Sequence, residues 1–227
     1  MSSWSIRSAF SAVGCWLVAS SVLGFFALSW FEEEVAGEAV LSAAGWLFAT
    51  EISAMGGGVL ALLYAARQTG FAAFRLGPIR KQEALLAVSM VVPVLGFGFA
   101  YSGLLGFWGI ETPPQQTMQA MLDTTSFAAL MVGLFGSILA APLIEEMLFR
   151  GCLQPPTVER FGPAVGIGSV AVLFGLLHLS DPWAVIPCVV IGGVAGWLRH
   201  RSAGLAAPVL FHAVNNAIAV SLTVLIP

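Results

Sequence analysis

Pro142-Leu143-Ile144-Glu145-Glu146-Met147-Leu148-Phe149-Arg150-Gly151 places three ionisable residues at the end of a long apolar run. A charge at the centre of a bilayer costs about 2.5–3.5 kcal/mol, and hydrophobic packing gives no reason to include one. On a helix, Glu146 and Arg150 are four residues apart with the acid on the N-terminal side, the order that favours an ion pair. Glu145 lies about 100° around the helix from Glu146. The spacing therefore predicts that Arg150 neutralises one carboxylate, while the neighbouring one stays available for chemistry.

The composition of the whole chain is that of a membrane protein. Of its 227 residues, 58% are hydrophobic and only 9% are charged, and the mean hydropathy is +0.91. A soluble domain carries about 25% charged residues. The nine basic residues form no stripe, so we expect no nucleic-acid partner. The three cysteines, Cys15, Cys152 and Cys188, have no paired spacing, so neither a disulfide nor a metal cluster is predicted.

Seven apolar runs predict an all-α polytopic bundle of about seven transmembrane helices in a single domain, 1–227. The runs are residues 10–31, 39–66, 84–108, 126–149, 163–179, 183–198 and 205–226. The apolar region of a signal peptide is about 7–15 residues long. The first run is longer, which favours an uncleaved helix. We interpret 109–125 as a polar loop and 154–162 as a turn. No internal repeat is visible.

The basic residues between the runs segregate completely to one side, which predicts an orientation. With seven spans, one side of the membrane receives every basic residue: Arg7, Arg67, Arg75, Arg80, Lys81, Arg150, Arg160, Arg199 and Arg201. The other side receives only acidic residues: Glu32, Glu33, Glu34, Glu38, Glu111, Asp123 and Asp181. Loops rich in Lys and Arg stay in the cytoplasm. The N-terminus is therefore predicted inside and the C-terminus outside.

Further polar residues lie within the apolar runs. His178 comes near the end of the fifth run, and His212 and Asn216 share a helix face in the seventh, four residues apart. Glu51 interrupts the second run, and we interpret it as an interhelical hydrogen-bonding residue. Two of the three histidines, an asparagine pair and a glutamate pair within spans favour one shared polar site between spans 4, 5 and 7.

These residues resemble three motifs of one family. Glu145-Glu146-x-x-x-Arg150, Phe174-x-x-x-His178 and His212-x-x-x-Asn216 are similar to the motifs of the CPBP family, also called the Abi family. Its members are CAAX-prenyl-protease and bacteriocin-processing intramembrane endopeptidases of the glutamic type. Each motif alone is weak evidence, but the three occur in order, each on a predicted span. The resemblance covers residues 126–227 as a catalytic core, and residues 1–125 supply three further spans.

The resemblance implies catalytic roles for these residues. It implies that Glu145 and His178 activate a water molecule, and that His212 and Asn216 form the oxyanion hole. Local chemistry agrees. Glu145 is the carboxylate that is not expected to pair with Arg150, which leaves it available as a base. An amide and an imidazole on one helix face can both donate to one developing charge. If the fifth helix begins at Pro163, His178 lies at its far end. We therefore expect that helix to tilt or to start later, so that the residues meet in a cavity facing the cytoplasm.

Other chemistries are weighed on the same residues. A His-Glu-x-x-His zinc motif is absent, but two histidines and a glutamate make an open zinc site, which stays as an alternative. The only aspartates, Asp123 and Asp181, fall in loops, which argues against an aspartyl protease. A non-proteolytic immunity, scaffold or transport protein is the alternative from a different class, although no repeat symmetry supports transport.

Three classes of substrate fit these patterns. A lipidated CAAX-like tail, a leader peptide or a C-terminal sorting signal would each present a membrane-tethered peptide. We expect membrane lipid and such a peptide or protein as partners, no cofactor and no metal. The short chain favours a multi-pass protein of a prokaryotic inner or plasma membrane.

Overall fold

A computed structural model describes residues 4–35, 38–202 and 204–225, and most of them are helical. The elements, in chain order, are α1 (Ile6–Phe31), β1 (Glu32–Val35), β2 (Glu38–Leu41), α2 (Ala43–Thr69), α3 (Lys81–Ser89), α4 (Val91–Phe107), α5 (Gln116–Asp123), α6 (Phe127–Phe135), α7 (Ala141–Glu146), α8 (Gln154–Phe161), α9 (Pro163–Leu176), α10 (Val185–Ser202) and α11 (Ala206–Leu225). Two π-helical segments, Gly136–Ala140 and Met147–Leu153, join α6, α7 and α8 into one long helix.

Serine side chains mark the starts of three of the long helices. Ser5, Ser42 and Ser126 precede α1, α2 and α6, and each hydroxyl accepts a hydrogen bond from the amide three residues later. Such caps satisfy an amide that has no partner within the helix, which stabilises a helix start by about 1 kcal/mol. The antiparallel strands β1 and β2 pair Glu32 with Leu41 and turn the chain from α1 into α2.

The predicted fold class is confirmed. Within the described ranges, six helices are long and apolar enough to cross a membrane: Ile6–Phe31, Ala43–Thr69, Lys81–Phe107, Phe127–Phe161, Pro182–Ser202 and Ala206–Thr223. The remaining predicted run, 163–179, corresponds to the shorter apolar helix Pro163–Leu176. The protein is thus an all-α polytopic membrane protein, while the number of spans and their orientation stay predictions.

Three local expectations differ from the structure. The predicted turn at 154–162 is wrong, because α8 continues the helix to Phe161. Pro155 and Pro156 lie in its first turn, where the missing amide proton is tolerated. The predicted polar loop 109–125 contains the short helix α5. The strands β1 and β2 were not anticipated, since their glutamates carry no strand signal.

One of the apolar clusters reaches the end of the bundle where α1 begins. Trp4, Phe74, Phe149, Leu153 and Leu205 are all buried in one cluster there. The amide of Leu205 donates a 3.3 Å hydrogen bond to the carbonyl of Arg75, which ties the start of α11 to the segment after α2. This end, which carries the basic loops, is therefore closely packed.

Candidate active site

The predicted ion pair between Glu146 and Arg150 is present and fully buried. Nη1 of Arg150 donates to Oε1 of Glu146 at 3.0 Å, and both side chains have no exposed area. Nη2 of Arg150 donates to the carbonyl of Gly192 on α10 at 2.9 Å. The guanidinium also lies 4.6 Å from the ring centroid of Phe174 on α9. Arg150 therefore joins three helical segments, which explains why a charge is retained in the core.

Close helix packing makes this arrangement possible at Gly192. A Cβ atom there would lie 3.1 Å from the Cα of Ala171 and 3.1 Å from Nη2 of Arg150. The absence of a side chain thus lets α10 approach α9 while its backbone carbonyl reaches the guanidinium. Neither Gly192 nor Phe174 was predicted as a site residue, although the sequence placed Phe174 within a motif.

His212 is oriented by the same carboxylate. Its Nδ1 lies 2.9 Å from Oε1 of Glu146. Because Glu146 is already paired with a guanidinium, its carboxylate accepts and Nδ1 of His212 donates. The other ring nitrogen, Nε2, faces Glu145, with 3.8 Å to Oε2. Glu146 therefore fixes both the tautomer and the direction of the His212 ring, a role that spacing along the chain did not indicate.

Glu145 faces away from the ion pair. Its side chain is 15% exposed, whereas that of Glu146 is fully buried. It lines a cavity of about 340 Å³, together with His178, His212 and Asn216. The cavity brings together the four residues for which direct chemical roles were predicted, while Glu146 and Arg150 lie buried next to it.

His178 reaches the cavity because α9 is short. The helix ends at Leu176, two residues before His178. Nδ1 of His178 lies 3.0 Å from the carbonyl of Phe174, which can only accept, so Nδ1 carries the proton. In neutral His178, Nε2 is then free to accept a hydrogen bond. The expected tilt or late start of this helix is therefore unnecessary, since an early end brings His178 to the level of Glu145.

Asn216 is held by a backbone carbonyl of the π-helical segment. Its Nδ2 donates to the carbonyl of Ser137 at 2.9 Å, which leaves the second proton of the amide unused by that contact. Widened π turns release carbonyls from the helical pattern and are frequent at functional sites. Asn215 also lines the cavity, and its buried Oδ1 has no partner within the described part of the chain.

Glu51 reaches the same cavity from α2. Its carboxylate packs directly against Gly136, where any larger residue would overlap it. Among residues 4–35, 38–202 and 204–225, the structure gives Glu51 no hydrogen-bond partner, so its interpretation as an interhelical hydrogen-bonding residue is not supported. Within the same ranges, no three His, Cys, Asp or Glu side chains are grouped as a metal ion would require.

Comparison with known proteins gives one match. Residues 126–218 match the family model described as type II CAAX prenyl endopeptidase Rce1-like. The match includes the three motifs and confirms the resemblance to the CPBP family, and it indicates CAAX-type intramembrane protease activity. It covers less than half of the chain, and it lies within the region predicted as the catalytic core. No curated protein and no solved structure matches the chain.

Proposed function

Because residues 126–218 match the model of a CAAX prenyl endopeptidase family, we propose that the protein hydrolyses a peptide bond of a membrane-tethered substrate with a water molecule activated by Glu145. The observation that carries this proposal is the shared cavity. Glu145, His178, His212 and Asn216 line it together, although they come from three separate segments of the chain. A water-filled cavity within a bilayer is where ionisable residues are tolerated and where they serve chemistry.

Water activation is assigned to Glu145 and His178. Glu145 takes a proton from the water as its oxygen attacks the carbonyl carbon of the substrate, and the proton then passes to the departing amine. General-base catalysis of this kind contributes about 10²- to 10⁴-fold to a rate. Nε2 of His178 accepts the second hydrogen of the water, because its Nδ1 is engaged with Phe174. The two groups together orient the nucleophile.

Oxyanion stabilisation is assigned to Asn216 and His212. The free amide proton of Asn216 can point into the cavity, since the other is bound to Ser137. His212 donates from Nε2 only when it is doubly protonated, because its Nδ1 proton is already directed at Glu146. The carboxylates of Glu145 and Glu146 flank the ring, at 3.8 Å from Nε2 and 2.9 Å from Nδ1. Donors fixed before the reaction stabilise developing charge most effectively.

An apolar groove supports a substrate that is itself held in the membrane. The groove encloses about 300 Å³ beside the cavity, and its walls include Val94 and Phe99 of α4 and Pro187 of α10. Five residues line both spaces: Gln115, Met118, Ile191, Asn215 and Ala219. A transmembrane or lipidated segment can occupy the groove while the bond to be cut enters the cavity.

Substrate-trapping proteomics tests the proposal in cells. Membranes from cells with the wild type are compared with membranes containing Glu145→Gln, and precursors that accumulate with the variant identify substrates. Peptides spanning the identified sites are then incubated with purified protein in detergent. Cleavage by the wild type and not by the variant supports the proposal. If both proteins cleave equally, or neither does, the glutamate-activated protease is contradicted.

Chelators separate this mechanism from the zinc alternative. We expect cleavage in detergent to continue after treatment with 1,10-phenanthroline, because the proposed groups act through proton transfer and hydrogen bonds. Activity that is lost on chelation and restored by zinc would instead assign His178, His212 and a glutamate to a metal ion.

A further inference from the structure

Several polar residues that line the cavity come from one end of the bundle. Gln115 and Thr117 belong to the connection between α4 and α6, and Ser180 and Asp181 to the connection between α9 and α10. Both connections lie at the end of the bundle where α2 begins, since Leu47 near the start of α2 packs against Met121 of α5. This is the end that carries the acidic loops in the predicted topology. Within the described part of the chain, the lining includes no residue from the basic loops.

At the opposite end, a separate pocket of about 270 Å³ is lined by residues such as Arg80 and Arg201 and shares no lining residue with the cavity among the described residues. Between the cavity and the basic loops lie the buried Glu146–Arg150 pair and then the fully buried side chains of Leu153, Phe74 and Leu205. Nε of Arg199 adds a 3.2 Å hydrogen bond to the carbonyl of Arg150 at this level. Protein interiors packed in this way leave few voids that admit water.

The length of α9 opens the bundle on the acidic side. With a rise of about 1.5 Å per residue, α9 is about 21 Å long, which is less than the roughly 30 Å of a bilayer core. The connection 177–184 therefore begins at membrane depth. Non-helical backbone is tolerated at that depth only where protein buries it or where it lines water. Ser180 and Asp181 line the cavity, which satisfies that condition.

From this geometry we infer that the cavity opens to the non-cytoplasmic face of the membrane, and that the substrate is cut in a segment that has already been exported. The inference rests on the proposed function for its chemistry and on the segregation of basic residues for its direction. It reverses the expectation of a cytoplasm-facing cavity. Of the three substrate classes, it favours a membrane-anchored protein with an exported juxtamembrane segment over a lipidated tail in the cytoplasm.

Cysteine accessibility in sealed vesicles tests this directly. Single cysteines are introduced at Thr50 inside the cavity, at Ser180 on its rim and at Gln82, which is exposed at the basic end. The background replaces Cys15, Cys152 and Cys188 with alanine. If that background folds poorly, Cys152 alone is retained, because it is buried and does not line the cavity as Cys188 does, and the protein without an added cysteine serves as the blank. The reagent is a small anionic methanethiosulfonate that does not cross membranes.

We expect Thr50→Cys and Ser180→Cys to react in right-side-out vesicles only, and Gln82→Cys in inside-out vesicles only. Reaction of Thr50→Cys from the same side as Gln82→Cys overturns the inference, and so does protection of Thr50→Cys from both sides. Reaction of Gln82→Cys in right-side-out vesicles also overturns it, because the cavity would then face the cytoplasm. Cleavage in detergent, where both faces are exposed, tests the proposed function separately from this orientation.

Discussion

Glu145 and Glu146 are neighbours in the chain but lie in two different regions of the protein. Glu146 belongs to a buried ion-pair cluster with Arg150, Gly192 and Phe174, where one carboxylate oxygen accepts from both Arg150 and His212. Glu145 belongs to the wall of the cavity, and the ion-pair contact that the described residues give it is Nε2 of His212 at 3.8 Å. One π-helical segment begins directly after the pair, at Met147.

The difference between the two regions separates stability from chemistry. A buried charge is tolerated when its partners are fixed, and the removal of one partner leaves the other uncompensated. A catalytic carboxylate has the opposite requirement, because it must exchange a proton during each turnover. We therefore expect the cluster to hold the scaffold and orient His212, and the cavity wall to supply the reacting groups. Variants of each region distinguish these two roles.

The largest expected effect on activity is that of Glu145→Gln. The amide keeps the shape of the side chain but cannot take a proton from water, so we expect the cleavage rate to fall by at least about 10²- to 10⁴-fold, the contribution of a general base. The thermal unfolding temperature in detergent should stay at the wild-type value. Peptide cleavage and unfolding are measured on the same preparation.

The matched control is Glu146→Gln, which alters the neighbouring carboxylate. We expect it to lower the unfolding temperature along with activity, because Arg150 and His212 both lose an anionic partner. If Glu146→Gln abolished cleavage at full stability while Glu145→Gln destabilised the protein, the two roles would have to be exchanged.

Arg150→Ala should have the largest effect on stability. Deleting one member of a buried ion pair costs about 3–5 kcal/mol, since the remaining charge is left without compensation. The loss of the contacts to Gly192 and Phe174 adds to this cost. Denaturant titration in detergent measures the free energy of unfolding. Arg150→Lys is the control, because it keeps the charge but cannot reach Glu146 and Gly192 with two separate donors. Its free energy of unfolding should fall between those of the wild type and Arg150→Ala.

Asn216→Ala is expected to lower kcat by about 10²- to 10³-fold, the usual cost of removing one oxyanion donor. The unfolding temperature should change little, because the amide makes a single hydrogen bond to Ser137. Ser221→Ala, on the exposed surface of the same helix, is the control and should leave both quantities unchanged. A normal kcat in the Asn216→Ala variant would show that Asn216 is not part of the oxyanion hole.

The sequence predicted what depends on local periodicity. The apolar runs gave the helical membrane fold, and the four-residue spacing of Glu146 and Arg150 gave their ion pair, because both follow from the geometry of a single helix. The segregation of basic residues predicted an orientation. That orientation decides to which face of the membrane the cavity is inferred to open. Family motifs indicated which polar residues would converge, but they did not indicate how.

What could not be predicted depends on contacts between segments. The bond from His212 to Glu146 joins residues 66 positions apart, and no spacing rule reports it. The early end of α9 lies within a continuous apolar run, since Leu176 and Leu177 are equally suited to a helix. The π-helical segments leave no trace in the hydrophobic pattern. The sequence therefore predicted which polar residues lie together at the cavity, but not which end of the bundle supplies the polar lining of that cavity.

The smallest expected effect is that of Gln154→Met, one helical turn after Arg150. Gln154 is buried, and its Nε2 donates a 2.8 Å hydrogen bond to the carbonyl of Gly196, much as Arg150 contacts Gly192. The difference is charge, because Gln154 is neutral. Its Oε1 also has no partner among the residues described.

Methionine has a similar volume and removes the hydrogen bond and the unsatisfied oxygen together. The first loss costs about 0.5–1.5 kcal/mol, and the second change recovers about 1–3 kcal/mol. We therefore expect the free energy of unfolding to stay within about 1 kcal/mol of the wild type, with normal cleavage. A destabilisation as large as that of Arg150→Ala would show that side-chain bonds to the α10 backbone, rather than the buried charge pair, distinguish the cluster from the cavity wall.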